Sequence, residues 1–186
     1  MAQPMKNLRE LTRQFPNTGR IDAIFLRPKR DTAALRVDSA IAEVDRGLIG
    51  DRSAERAAAR PGGGKRQVTL IQAEHLPLIG AWSAHAPLDA ATLRRNLVVS
   101  GINLLALRSP FADQPLRVCI GPEVILVMTG PCDPCSKMEA ALGLGGYNVM
   151  RGHGGLTASV VRGGRLSVGD PVRVELEQPG SGAERL

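Results

Sequence analysis

Two cysteines separated by two residues, Cys132 and Cys135, are the side chains in this sequence best equipped for chemistry. They sit in the stretch Thr129-Gly130-Pro131-Cys132-Asp133-Pro134-Cys135-Ser136-Lys137-Met138. A thiolate is both a nucleophile and a soft metal ligand, and cations or a helix start stabilise it. Four uses are open to this spacing. A thioredoxin-type redox pair belongs at a helix start within a βαβ unit, and that surrounding pattern is absent. A zinc site needs two more ligands, for which only Cys119, inside a strand pattern, and His153 are at hand. A nucleophilic or persulfide-carrying cysteine needs one thiol beside cations, which Arg151, Lys137 and a helix start supply. A soft metal such as molybdenum takes a single thiolate. Simple packing of both thiols is the plain alternative. The residues favour a reactive thiol and leave its use open.

Three other groups have types and spacing suited to binding. Arg94, Arg95 and Asn96 fall where a short helix capped by Asp89 meets a strand, and paired arginines hold phosphate or carboxylate bidentately. A solvated, basic last helical turn explains the same residues equally well. Asp51 and Arg52 follow the tight turn Gly47-Leu48-Ile49-Gly50. Arg151 and His153 stand among the glycines of Met150–Gly155, where backbone crowding is low enough for close approach to a ligand. His75 and His85 lack metal-ligand spacing and read as ordinary surface or capping residues. The Gly run 62–64 lacks the phosphate-loop pattern, since no strand precedes it and Lys65 is followed by Arg66.

The elements that must position these residues are mostly short strands. Alternation predicts strands over Arg20–Leu26 and Arg66–Ile71, and a second strand within Leu35–Val44 anchored by Val37, Ile41 and Val44. Ser53–Lys65 reads as a solvated loop, and Ala73–His85 as a helix interrupted by Pro77. Leu97–Ser100 is a strand, and from Gly101 onward the pattern is almost purely β. Pro115–Ile120 and Val124–Met128 form a hairpin across Gly121-Pro122, with Cys119 a buried, inert thiol. The latter strand ends at a Gly130-Pro131 turn, and Lys137–Leu142 is a short helix closed by Gly143. Thr157–Val161, Leu166–Val168 and Pro171–Leu176 are closely spaced strands, as in a barrel. Residues 1–19 read as a flexible arm or one loose helix, 20–176 as one domain, and 177–186 as a disordered tail.

Composition limits the classes further. With 43% hydrophobic but 3% aromatic residues the core is aliphatic. A net charge of +6 invites nucleic acid, but the 24 basic residues are interspersed with 18 acidic ones and stacking platforms are few, so nucleic-acid binding is disfavoured. No apolar run suits a membrane span or a signal peptide, and three cysteines do not make a disulfide framework; the sequence reads as cytoplasmic.

Five segments occur in an order that resembles one family. They are Gly47–Arg52, Arg66–Ile71, Arg94–Asn103, Pro131–Met138 and Met150–Gly155, and from about residue 20 to 176 the chain resembles MOSC domains, named for the molybdenum cofactor sulfurase C-terminal domain. The resemblance implies a mainly β, barrel-like MOSC fold with a few short helices, of the stand-alone bacterial type. It implies a signature cysteine that ligates molybdenum in the molybdenum cofactor (molybdopterin) or carries sulfur. That cysteine, preceded by Pro and followed by a residue and a Lys or Arg, falls on Cys135. It implies reduction of N-hydroxylated or N-oxide small molecules with electrons from a separate redox protein. Its alternative is a persulfide carrier fed by a cysteine desulfurase, and pyridoxal phosphate is a further implied ligand. Cys132 stands where relatives often have Arg, and Ser53-Ala54-Glu55 where they often have a His-Gly-Gly run. On this reading Cys135 and Cys132 are the catalytic pair, and Arg94, Arg95, Asn96, Arg151, His153, Asp51 and Arg52 hold the cofactor.

Overall fold

Alternating aliphatic residues close this chain into a barrel. The computed structural model describes residues 7–57 and 64–176. The expected tail from 177, the Gly-rich tip at 61–63 and the first six residues of the arm therefore lie outside the described residues. The single-turn helix α1 (Leu8–Leu11) leads to the strands β1 (Gly19–Leu26), β2 (Leu35–Val37), β3 (Ser39–Glu43) and β4 (Gly47–Leu48). Helix α2 (Arg52–Ala57) precedes β5 (Val68–Gln72), and helix α3 (His75–Trp82) and a 3₁₀ turn at Ala90–Leu93 lead into β6 (Leu97–Ser100). Then come a second 3₁₀ turn at Leu104–Leu107 and the strands β7 (Leu116–Ile120) and β8 (Val124–Pro131). Helices α4 (Ser136–Leu142) and α5 (Gly146–Met150) precede β9 (Leu156–Arg162), β10 (Gly164–Ser167) and β11 (Pro171–Leu176).

Seven strands form the ring in the order β1-β6-β5-β9-β8-β7-β11, and β11 returns to β1 through Gly19↔Val172 and Arg20↔Pro171. Strand β2 extends β1, and β10, β3 and β4 make a separate small sheet. Among the described residues only β5 and β6 pair in parallel, Leu70 opposite Leu97, and α3 lies in the connection such a pair requires. Alternation puts Ile21, Ile24, Leu70, Leu97 and Val99 inside the barrel. The opposite faces of the same strands, Ala23, Phe25, Ile71 and Val98, pack against Ile79, Met138, Leu142 and Met150. So β1, β5 and β6 are buried on both sides, and the helices lie against that wall.

The structure corrects several local expectations. Leu35–Val44 is two strands in two sheets, and its buried face is Ala40 and Ala42; Ile41 and Val44 are exposed. Small residues let β3 lie close to the barrel, and the larger ones turn to solvent. Pro77 does not interrupt α3, because it occupies the first turn, where a backbone N–H has no helical partner. The chain after Gly101 is not purely β: α5 and the second 3₁₀ turn were not expected. Gly130-Pro131 continues β8 through a bulge, with Pro131 opposite Leu156. Cys119 is half-buried rather than buried. The arm is docked where it is described: Arg9 pairs with Asp113 at 2.7 Å and lies over the Phe111 ring, and Phe15 packs on the core. Among the described residues no helix is long and apolar enough to cross a membrane.

Candidate functional site

Three backbone ends meet at one end of the barrel: β1 finishes there, and β5 and β6 begin. The antiparallel register of β1 on β6, Ile24 opposite Leu97, carries Arg27 to the level of Arg94. Arg27 Nη2 then donates to the Arg94 carbonyl at 3.2 Å. Arg94 itself is held in the left-handed region at φ 60° as the C-cap of the Ala90–Leu93 turn, which redirects the chain into β6.

Beneath these arginines lies a buried polar hub. Asn96 is 5% exposed; its Oδ1 accepts from Thr69 N–H at 3.1 Å and from Thr69 Oγ1 at 2.8 Å. Its Nδ2 donates to the Phe25 carbonyl and to Asp51 Oδ2, at 3.2 and 3.0 Å. Asp51 also accepts from Arg27 N–H at 2.9 Å, and from Ser53 N–H and Oγ at 2.8 and 2.6 Å. One carboxylate and one amide thus tie β1, β5, β6 and the start of α2 together.

The structure separates the two cysteines. Cys132 is 0% exposed, its N–H donates to the Gly155 carbonyl at 2.8 Å, and its Sγ accepts from Arg66 Nη2 at 3.2 Å. Burial pushes its thiol pKa up, and the charges of Arg95 and Arg66 oppose that only in part. Cys135 is exposed and forms the N-cap of α4, its carbonyl accepting from Met138 N–H at 2.8 Å.

Arg95 holds this arrangement from below. It is 4% exposed, and its Nε, Nη1 and Nη2 donate to the carbonyls of Gly154, Leu93 and Cys132 at 2.7, 2.8 and 3.1 Å. Burial is the main reason its pKa falls below the ordinary guanidinium value. A Cβ at Gly154 would collide with the Cys132 carbonyl, and one at Gly155, where φ is +82°, with the Leu70 carbonyl. These glycines press their loop onto β5 and the cysteine loop, a close approach of backbone to backbone.

The result is a cavity of about 530 Å³. Arg27, Arg94 and Arg95 line it from the β1 and β6 ends, Arg52 from the start of α2, and Lys65, Arg66 and Lys137 from the other walls. Cys135 and Met138 are at its side, and among the described residues Asp51 is its one carboxylate. Burial and the adjacent Arg94 charge together lower the pKa of Arg27. Among the described residues, Arg27, Arg52, Arg66 and Arg94 form no ion pair, and Lys137 reaches only the exposed Asp31, at 3.4 Å. Crowded, partly desolvated cations that outnumber the single Asp51 carboxylate make a site of strong positive potential, suited to a compact polyanion.

Of the residues singled out in the sequence, Asp51, Arg52, Arg94, Arg95, Asn96 and Cys135 meet at this cavity. Cys132 lies behind it. Arg151 and His153 do not line it; His153 packs edge-on against His75 and Trp82, with ring centroids 4.8 and 5.2 Å away. Sequence reasoning missed Arg27, Lys65, Arg66 and Gln67 as lining residues. Arg27 was readable only from the β1–β6 register, and Arg66 was taken as part of a strand that begins two residues later.

A family model for the MOSC domain matches residues 57–173. No curated protein matches the sequence. Among solved structures, the YuaD protein from Bacillus subtilis is similar at TM-score 0.69 and 19% identity, over 89% of this chain and 100% of that one. YiiM from Geobacillus stearothermophilus is similar at TM-score 0.63 and 17% identity, over 89% and 78%. YiiM from Escherichia coli is similar at TM-score 0.55 and 19% identity, over 84% and 69%.

Proposed function

The chain belongs to the MOSC domain family, and from that premise we propose that it binds the molybdenum cofactor and reduces N-hydroxylated or N-oxide compounds, with Cys135 as the metal's protein ligand. The observation that carries this reading is an exposed thiol beside a cavity that has, among the described residues, seven cationic side chains and one carboxylate already committed to four hydrogen bonds. The donor set fits such a group: it has a phosphate for guanidinium forks and a soft metal for a thiolate. The cavity volume is in the range typical of cofactor sites, roughly 300–1,000 Å³.

Arg27, Arg52 and Arg94 hold the phosphate and the negative ligands of the metal, and Lys65 and Arg66 face them from the opposite wall. Arg95 contributes charge from below, three of its five N–H donors being fixed on backbone carbonyls. Asp51 positions Arg27 through its backbone N–H, and Asn96 holds Asp51 in place. Bound there, the cofactor supplies two-electron chemistry, which with two protons converts an N–OH group to N–H and water. A separate redox protein is the electron source in this reading.

The test is metal analysis of protein made in a host competent for the cofactor and purified without oxygen. Molybdenum is expected near one per chain and is expected to be lost in Cys135→Ser. Metal-free wild-type protein from that host would count against the reading. A second reading, a persulfide carrier loaded by a cysteine desulfurase, is favoured by the exposure of Cys135 to a macromolecular donor. It predicts a mass gain of about 32 Da, one sulfur atom, on Cys135 after incubation with desulfurase and cysteine.

A further inference from the structure

Beside the cationic cavity lies a second hollow of about 570 Å³ with different chemistry. Its walls carry Ala33, Ala34, Ala91, Ala140 and Ala141, drawn from the loop before β2, the 3₁₀ turn before β6, and α4. Two carboxylates, Asp31 and Asp89, also border it. Arg27, Arg94 and Lys137 line both hollows, so the two are compartments of one cleft with a shared cationic partition. Cys135 lines the first compartment only, two residues before Lys137 in the chain.

The five alanines give one apolar wall of short side chains, with the long cationic side chains on the partition, and such a wall suits a flat body. The carboxylates have acceptor capacity left. Asp89 receives one hydrogen bond, from Ala91 N–H at 2.9 Å, on a single oxygen. Asp31 is 72% exposed and meets Lys137 and Arg30 only at 3.4 and 3.5 Å, long contacts that a ligand group can replace.

We propose that the alanine-walled hollow is a substrate subsite selecting a flat, dipolar molecule. Its oxygen-bearing or anionic end lies on Arg27, Arg94 and Lys137, its ring on the alanines, and its N–H donors on Asp31 and Asp89. Calling the occupant a substrate rests on the cofactor reading of the adjoining cavity; the binding itself does not.

The probe is para-amidinobenzoate, with benzamidine and benzoate as its single-ended counterparts, titrated into cofactor-free protein labelled at alanine and methionine methyl groups. Saturable shifts of the five alanine signals are expected, with each single-ended probe at least about tenfold weaker, one good polar contact's worth. Ala140→Phe, at an exposed helical position, abolishes the shifts by filling the hollow; Ala33→Phe, in an exposed loop, serves if the first variant unfolds. Pyrophosphate, read on Met138, which borders only the first cavity, reports the cofactor site separately. Silent alanine signals beside a responsive Met138 overturn the subsite and leave the cofactor reading standing. Equal affinity for benzamidine, or unchanged binding in a folded Phe variant, also overturns it. Responsive alanines with a silent Met138 uphold the subsite and count against the cofactor reading.

Discussion

Cys135 ends its loop exposed, three residues after a cysteine with no exposed surface, and that difference is measurable. Under native conditions iodoacetamide is expected to label Cys135 first, the half-buried Cys119 later, and Cys132 only after denaturation, as read by peptide mapping. Cys119 and Cys132 both keep their protons above the ordinary thiol value, each through burial first, with Glu175 adding to the effect at Cys119. Under native conditions labelling of Cys119 therefore rises only as pH passes the ordinary thiol value of about 8.5. The same shift has a stability sign: the fold favours the neutral thiol, so the contribution is whole below about pH 8.5 and is lost as pH rises through the raised folded value. Equal labelling rates at all three positions would overturn this ranking. Asn96 supports a second expectation. Asn96→Asp keeps the acceptor for Thr69 but removes the donor to Phe25 and sets a second carboxylate against Asp51. A loss of about 2–4 kcal/mol in urea unfolding is expected.

The cysteine loop, the glycine loop before β9 and the middle of β5 are pressed together, because Arg95 and two glycines join them. Gly155→Ala puts a Cβ into the Leu70 carbonyl and strains a left-handed residue, so a loss of at least about 3 kcal/mol is expected. In the same variant Cys132 should become open to alkylation. Gly152, also at positive φ (+77°) but with nothing within 4 Å of its Cβ position, is the control. There the Ala variant should cost only about 1–2 kcal/mol and leave Cys132 protected. If the two variants match, the clamp is not what protects the thiol.

Across the whole molecule, barrel closure gathers cations from distant parts of the chain at one end, and Asp51 offsets their repulsion only in part. A polyanion should therefore stabilise the fold. Pyrophosphate at a hundredfold excess over its Kd is expected to raise Tm by about 5–10 °C. Added salt should diminish the shift, and Arg27→Ala or Arg94→Ala should remove most of it. A shift that survives both arginine variants places the anion elsewhere.

Much of the β architecture was legible because apolar alternation reports which strand faces are buried: Leu97–Ser100 and Pro171–Leu176 appear at the predicted bounds. The cysteine pair before a short helix was legible for a local reason, since Pro, Ser and Gly punctuate the backbone there. The split of Leu35–Val44 was not, because a strand's sheet is chosen by its partners. Nor were the unequal roles of the cationic residues. Arg94 and Arg95 are neighbours in sequence and both line the cavity, yet only Arg95 is buried and fixed on three carbonyls, since the left-handed turn at Arg94 sends them different ways. The sequence by itself determined a β-rich fold, a reactive-looking thiol and an excess of positive charge. Only the tertiary structure decided which thiol is exposed, which cations share a cavity and where His153 points, because strand register and barrel closure set distances that local sequence does not contain.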